Sequence, residues 1–272
     1  MKRALFLLLI LTSLSGCEKK TSWSLKGQLP NLVVVDCILT DKVVNQTITL
    51  TFPVSELDKT PAPVTGATVQ VTDEDSVFHM QETPSGSGIY KSVNPFSARE
   101  GKNYTLHIFY ENQIITAKSV IAPAEFFNFL SYTKNQSSGL YNISWVASSF
   151  TTSSPAMWEV LLDWSKVPGY QQLDSTKTKA RMLFYTLTTL DVSQIFAPSV
   201  ESISFPSGTQ ITENRYSMTP DYAEFVREVL LETQWQGSLF NTAPANVPTN
   251  LSSGGAGFFA VCGVSSIYQT VP

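Results

Sequence analysis

The sequence predicts a mainly β protein: an N-terminal antiparallel β-sandwich followed by a second β-rich domain carrying one α-helix. Three observations carry that expectation. Between residues 31 and 122 roughly six or seven short runs alternate apolar and polar positions, with turn residues between them at regular spacing. Beyond Pro123, further alternating runs hold Trp145 and Trp158, large aromatics suited to filling a layer of about 10 Å between sheets. One stretch, Tyr222, Phe225, Val226 and Val229, repeats at helical spacing.

The chain opens MKRALFLLLILTSLSGCEKK. Lys2 and Arg3 precede an apolar stretch from Ala4 to Leu11, and small residues run from Thr12 to Gly16, so residues 1–16 have the layout of a secretory signal peptide. A spanning helix needs about 20 apolar residues, more than this run supplies. Leu14, Ser15, Gly16 and Cys17 match the bacterial lipobox, in which the cysteine thiol takes a diacylglycerol and becomes an acylated N-terminus after cleavage. Each buried methylene of such a lipid contributes about 0.8 kcal/mol, so several acyl chains hold a protein on a membrane durably. Cys17 is therefore the expected anchor. Residues 17–30, poor in large apolar side chains, are the expected tether.

The N-terminal domain, residues 31–122, begins with LVVVDCILT, rich in β-branched residues, and QTITLTFPV, which alternates almost strictly until Pro53 makes its end an edge. LDKTPAPVTG is a loop. GATVQVTDEDSVFHMQETPSGSGIYKS reads as strand, acidic turn, strand, glycine turn, strand, and NYTLHIFYENQIITAKSV as a hairpin around Glu111 and Asn112. The second domain, residues 123–272, opens with FFNFLSYT and continues through GLYNISWVA, MWEVLLDW, RMLFYTLT and VESISF. Its helix is expected at about 220–235, with Thr219 as cap, Pro220 in the first position and Asp221 complementing the dipole. A long Pro/Asn/Ser/Gly loop then leads to the closing strand or hairpin, GAGFFAVCGVSSIYQTV.

Hydrophobic residues at 43% and charged residues at 15% describe a folded chain, and a formal charge of −4 gives no basic footprint for nucleic acid. The three cysteines leave Cys37 and Cys262 once Cys17 is lipidated. In an exported protein that even pair could bridge, but both sit in apolar strand-like runs where free cysteine also serves as a small buried hydrophobe. The two histidines, His79 and His107, lie in alternating strands without a ligand cluster, and no zinc spacing, Walker loop, nucleophile elbow or HExxH occurs. Asp73, Glu74 and Asp75 have oxygen ligands to offer calcium, yet read first as a solvated turn. Ser85 to Gly88 and Gly254 to Gly257 precede strands rather than helices, so they are turns and not phosphate cradles. No cofactor, metal site or catalytic residue is expected. An anchored envelope hydrolase with groups converging across loops, or a structural or adhesive surface protein, remain the alternatives to a non-catalytic binding role.

The segment from Val64 to Ser92, with GKNYTLHIFYENQIITAKS after it, resembles the regulatory-type, Ig-like β-sandwich found beside carboxypeptidases. With LVVVDCILTD before it and PDYAEFVREVLLETQ and FNTAPANVPTNLSSGGAGFFAVCGVSS after it, the chain resembles domain-of-unknown-function family 4249 (DUF4249), outer-membrane lipoproteins of the Bacteroidetes. The family has no established catalytic residues. The resemblance implies an outer-membrane, lipid-anchored protein, at the cell surface rather than the periplasmic face. It also implies a binding accessory of a TonB-dependent β-barrel receptor, capturing a ligand that the resemblance leaves unidentified. Glu18, Lys19 and Lys20 depart from the acidic residues that often follow the lipidated cysteine in surface-exported lipoproteins of that phylum. Asp75-Ser76-Val77 and Asp174-Ser175-Thr176 match its short O-glycosylation pattern, which makes Ser76 and Ser175 candidate acceptors. The loop from Asn241 to Gly257, punctuated by Asn241, Pro244, Asn246 and Asn250, is the expected partner contact, unless it simply covers the open end of the second domain.

Overall fold

The computed structural model describes residues 32–54, 59–146, 154–187, 203–233 and 247–272. Cys17 and the tether lie outside them. Strand makes up 49% of the described residues and helix 8%, so the mainly β class with a helix is observed. Among the described residues no helix is long and apolar enough to cross a membrane.

Seven strands come from the N-terminal part: β1 (Val33–Thr40), β2 (Thr47–Thr51), β3 (Thr68–Thr72), β4 (Val77–Glu82), β5 (Ile89–Ser92), β6 (Asn103–Tyr110) and β7 (Gln113–Val120). Their alternation works as expected. In β6 the residues Tyr104, Leu106 and Ile108 are buried, while Asn103 and Phe109 at either side are exposed and Thr105 and His107 between them are half-buried. Val35, Leu39, Ile48, Leu50, Val71 and Ile115 join them in one core.

The sheet is completed from the far end of the chain. Strand β14 (Gly255–Cys262) pairs parallel with β1, giving eight strands in the order β14-β1-β2-β5-β4-β3-β6-β7. Hydrogen bonds from Ser252 N to Thr116 O and from Ala122 N to Val261 O bring β7 round to the β14 side. Hydrogen bonding therefore crosses the expected domain boundary at residue 122. The reason lies in β14 itself, where Phe258 to Cys262 are buried on both faces. A strand apolar on both faces needs cover on both sides. Phe259 and Val261 enter the N-terminal core, while Phe258, Ala260 and Cys262 meet α1 (Pro220–Thr233) on the other side. Gly257, at φ 91°, lies so close to Val35 O that a Cβ would overlap it.

The same alternation separates the two cysteines. The register sets Cys37 opposite Phe259 and Cys262 opposite Thr40, and the two side chains belong to cores on opposite faces of the sheet. Both are free, buried thiols, so of the two readings left open by the sequence the possible Cys37–Cys262 bridge is not the one observed.

The remaining strands form two sheets. Four strands run in the order β11 (Lys179–Thr186), β10 (Ala156–Asp163), β13 (Gln210–Ser217), β15 (Val264–Thr270); three run β12 (Ser204–Phe205), β9 (Tyr141–Trp145), β8 (Ser131–Lys134). Trp158, Val160, Leu162, Phe205 and Ile211 fill the layer between them, with Phe127 edge-on to Trp158 at 5.1 Å. Thr219 caps α1, accepting from Tyr222 N through its hydroxyl at 3.3 Å and from Ala223 N through its carbonyl. Tyr222, Ala223, Val226 and Leu230 bury the face laid on β14. Gln234 and Trp235, the expected end of the helix, lie outside the described residues.

Candidate functional site

Where the eight-stranded sheet meets the four-stranded one, a cleft of about 490 Å³ opens between the β1–β2 connection and one face of β10, β11, β13 and β15. The connection is shaped by Gln46, whose side chain is buried. Its Nε2 donates to the carbonyls of Lys42 and Phe96 at 3.0 and 2.9 Å, and its Oε1 accepts from Thr40 N at 3.0 Å. Asp41 accepts from Val264 N at 3.0 Å, and Asn45 Nδ2 donates to Ser92 O at 2.6 Å. Held from three sides, the turn presents Lys42, Val43 and Val44 outward.

The opposite wall follows from strand register. Arg181, Leu161, Thr212 and Tyr268 form one row across the four strands, and Leu183, Glu159, Asn214 and Ser266 the next. Glu159 organises that second row. It accepts from Arg181 Nε at 2.6 Å, Asn214 Nδ2 at 3.0 Å and Tyr216 Oη at 3.1 Å, and Ser266 Oγ in turn donates to Asn214 Oδ1 at 2.7 Å. Burial works to raise the Glu159 pKa, but the bonds from Arg181, Asn214 and Tyr216 outweigh it and hold the carboxylate below its ordinary value. Burial and then the Glu159 charge push Tyr216 up, so its hydroxyl stays a donor. Glu159 is thus ionised and enclosed by donors, an anchor for side chains rather than a carboxyl poised for proton transfer. The residues that line the cleft include two cations, Lys42 and Arg181, and no carboxylate.

The residues singled out from the sequence lie elsewhere. Asn241, Pro244 and Asn246 are outside the described residues. Asn250 is within them, and its side chain works for the fold: Nδ2 donates to Lys118 O at 3.1 Å and Phe259 O at 2.8 Å, and Oδ1 accepts from Phe259 N at 3.0 Å. Leu251 is buried against the N-terminal core. This stretch of the loop therefore staples β7 to β14. Ser76 and Ser175 are both exposed, in the β3–β4 turn and at the start of a 3-10 turn. In the acidic turn Asp73 accepts from the amides of Asp75 and Ser76, and Lys102 pairs with both Glu74 and Asp75. His79, Gln70 and His107 share one outward row across β4, β3 and β6, with His107 Nε2 3.4 Å from Thr72 Oγ1. No group of three or more metal-binding side chains occurs among the described residues.

Sequence reasoning did not find the cleft. Lys42, Glu159, Arg181, Asn214 and Tyr216 are scattered over 175 positions, counted from 42 to 216. The one local signal is a glutamate, Glu159, inside the otherwise apolar run Ala156 to Leu162 of β10.

A family model described as Domain of unknown function (DUF4249) matches residues 24–267. Among curated proteins, none matches the chain.

Proposed function

The chain belongs to the DUF4249 family, and from that premise we propose that it is a non-catalytic binding accessory, anchored by lipid on Cys17 to the outer membrane at the cell surface. It presents the inter-sheet cleft to a ligand for a TonB-dependent β-barrel receptor. The observation that carries the binding role is the saturated Glu159 network. Its donors and acceptors are fixed before any ligand arrives, which lowers the ordering cost of binding. The anchor rests on the lipobox Leu14 to Cys17. The receptor rests on the family context alone.

Pull-down of the tagged lipoprotein from detergent-solubilised outer membranes tests the reading. Stoichiometric recovery of a TonB-dependent β-barrel supports it; recovery of the lipoprotein alone after cross-linking counts against it. Cys17→Ala tests the anchor separately. The variant is expected to leave the membrane fraction and lose palmitate labelling, whereas a variant that still sediments with membranes with residues 1–16 attached points to a signal-anchor instead.

A further inference from the structure

Resting on the binding role proposed above, we propose that the inter-sheet cleft takes a ring-bearing carboxylate, its carboxylate between Arg181 and Lys42 and its ring over Tyr268. The electrostatics set the first half. In a chain of net charge −4, the residues lining this cleft include two cations, Lys42 and Arg181, and the one carboxylate beside them, Glu159, is taken up by Arg181 Nε, Asn214 and Tyr216. Arg181 commits only Nε to Glu159, its side chain is 60% exposed, and its guanidinium has no further partner among the described residues. The uncommitted Nη edge is a planar fork that matches two in-plane carboxylate oxygens. Lys42, on the opposite wall, is exposed and makes no ion pair with a described residue.

The register sets the second half. Arg181 and Tyr268 are the two ends of one cross-strand row. Three strand spacings put their Cα atoms roughly 14 Å apart, and both side chains are long enough to lean over the row. Tyr268 is 74% exposed. Its ring offers a flat apolar face with a polar hydroxyl at its far end, the kind of surface on which a ring can stack. Ile38, Val44, Met157 and Val264 give the cleft an apolar lining beside these polar groups. A ligand with one anionic end and one flat apolar face satisfies both ends of the row. The shared chemistry is a carboxylate carried by a six-membered ring, directly in a uronic acid and through one methylene in an arylacetic acid.

The test is calorimetric titration of the detergent-solubilised full-length lipoprotein with D-glucuronate and with phenylacetate, each against its methyl ester, and with inorganic phosphate. At least one acid is expected to bind at least tenfold more tightly than its ester and than phosphate, and which acid binds identifies the kind of ring. Lys42→Met and Tyr268→Ala, at exposed positions, are each expected to weaken that acid about tenfold. Arg181→Gln is expected to abolish it, with Lys42→Met as the variant that leaves the Glu159 network whole. No binding by either acid, an ester equal to its acid, phosphate as tight as the acid, or a Lys42→Met variant of unchanged affinity overturns the inference. Receptor recovery by Lys42→Met separates the two proposals: a variant that recovers the receptor but loses the acid leaves both standing. A wild type that binds the acid but recovers no receptor removes only the accessory role.

Discussion

Glu213 carries a carboxyl group into the layer between the two C-terminal sheets, where it is completely buried. One oxygen accepts from Leu130 N at 2.8 Å, and the other has no hydrogen-bond partner among the described residues. Burial pushes its pKa from 4.5 up to about 7, against the smaller opposing pull of that amide. The sign follows from linkage. A carboxyl whose folded pKa is raised binds its proton more tightly in the folded state, so its contribution is complete below pH 4.5 and is lost as pH rises through 7. A shift of this size corresponds to about 3 kcal/mol. Glu159, Asp163 and Asp174, whose pKa values are lowered, work the other way, losing stability as pH falls. Glu74 and Glu82 are lowered as well and Asp36 is raised, so only the comparison of variants isolates Glu213. Glu213→Gln keeps the acceptor for Leu130 N and removes the ionisation. Urea denaturation is expected to show the variant gaining on the wild type between pH 5 and pH 8 by about 3 kcal/mol. Parallel profiles across that range would mean that the buried carboxyl does not ionise there.

Strand β13 shows at the scale of an element why part of the fold was legible and part was not. Strands β1 to β7 follow from alternation because their inward positions are almost all apolar, and α1 follows from its cap and its spacing. The run QITENRYS has inward positions Ile211, Glu213, Arg215 and Ser217, so one apolar residue in four gives no periodic signal. Yet β13 lies inside its sheet, between β10 and β15. The cleft was hidden for a related reason: Asn214, Tyr216 and Arg181 are outward by period, and only the tertiary meeting of two sheets turns that outward face into a wall. The polar inward residues are held by partners. Arg215 donates to Ser217 Oγ at 2.7 Å, Glu125 Oε2 at 3.0 Å and Ser154 O at 3.2 Å, and lies over Trp158 at 5.5 Å. Its side chain is 5% exposed while that of Glu125 is 47% exposed, so the two halves of this ion pair are unequal. Arg215→Met is expected to cost about 2 kcal/mol through lost charge-assisted bonds, and Glu125→Ala under about 1 kcal/mol, since water replaces the exposed partner. Equal losses in chemical denaturation would mean the pair itself, not the buried end, carries the energy. For α1, Thr219→Ala is expected to cost about 1 kcal/mol, the usual price of a lost N-cap, read as a lower denaturation midpoint.

At the scale of the whole molecule, the last eighteen residues decide whether the protein unfolds as one unit or two. Strand β14 completes the eight-stranded sheet, Gly263 follows, and β15 then forms the edge of the four-stranded sheet. Gly263 donates to Ala122 O at 2.8 Å and accepts from Ser217 N at 2.9 Å, so one residue ties the end of the first sheet's chain to β13. A Cβ there would overlap Ala122 O and Ala124 N, both backbone atoms that cannot swing away. α1 reinforces the tie, because its buried face touches Phe258, Ala260 and Cys262 of one sheet and shares a core with Met157 of the other. Two stable units joined by a flexible linker would melt independently; units sharing a strand and a core melt together. The sequence supplies the probes. Of the five tryptophans, Trp145 and Trp158 lie in β9 and β10 and Trp164 directly after β10, so with Trp23 and Trp235 replaced by Phe tryptophan fluorescence follows the C-terminal sheets. Hydrogen exchange of peptides spanning β3 and β6 follows the other unit. Both probes are expected to report the same urea midpoint in this parent, and Gly263→Val is expected to lower both by the same amount. A variant whose fluorescence transition moves while the exchange of β3 and β6 stays at the parent midpoint would show that the shared strand joins the sheets without coupling them.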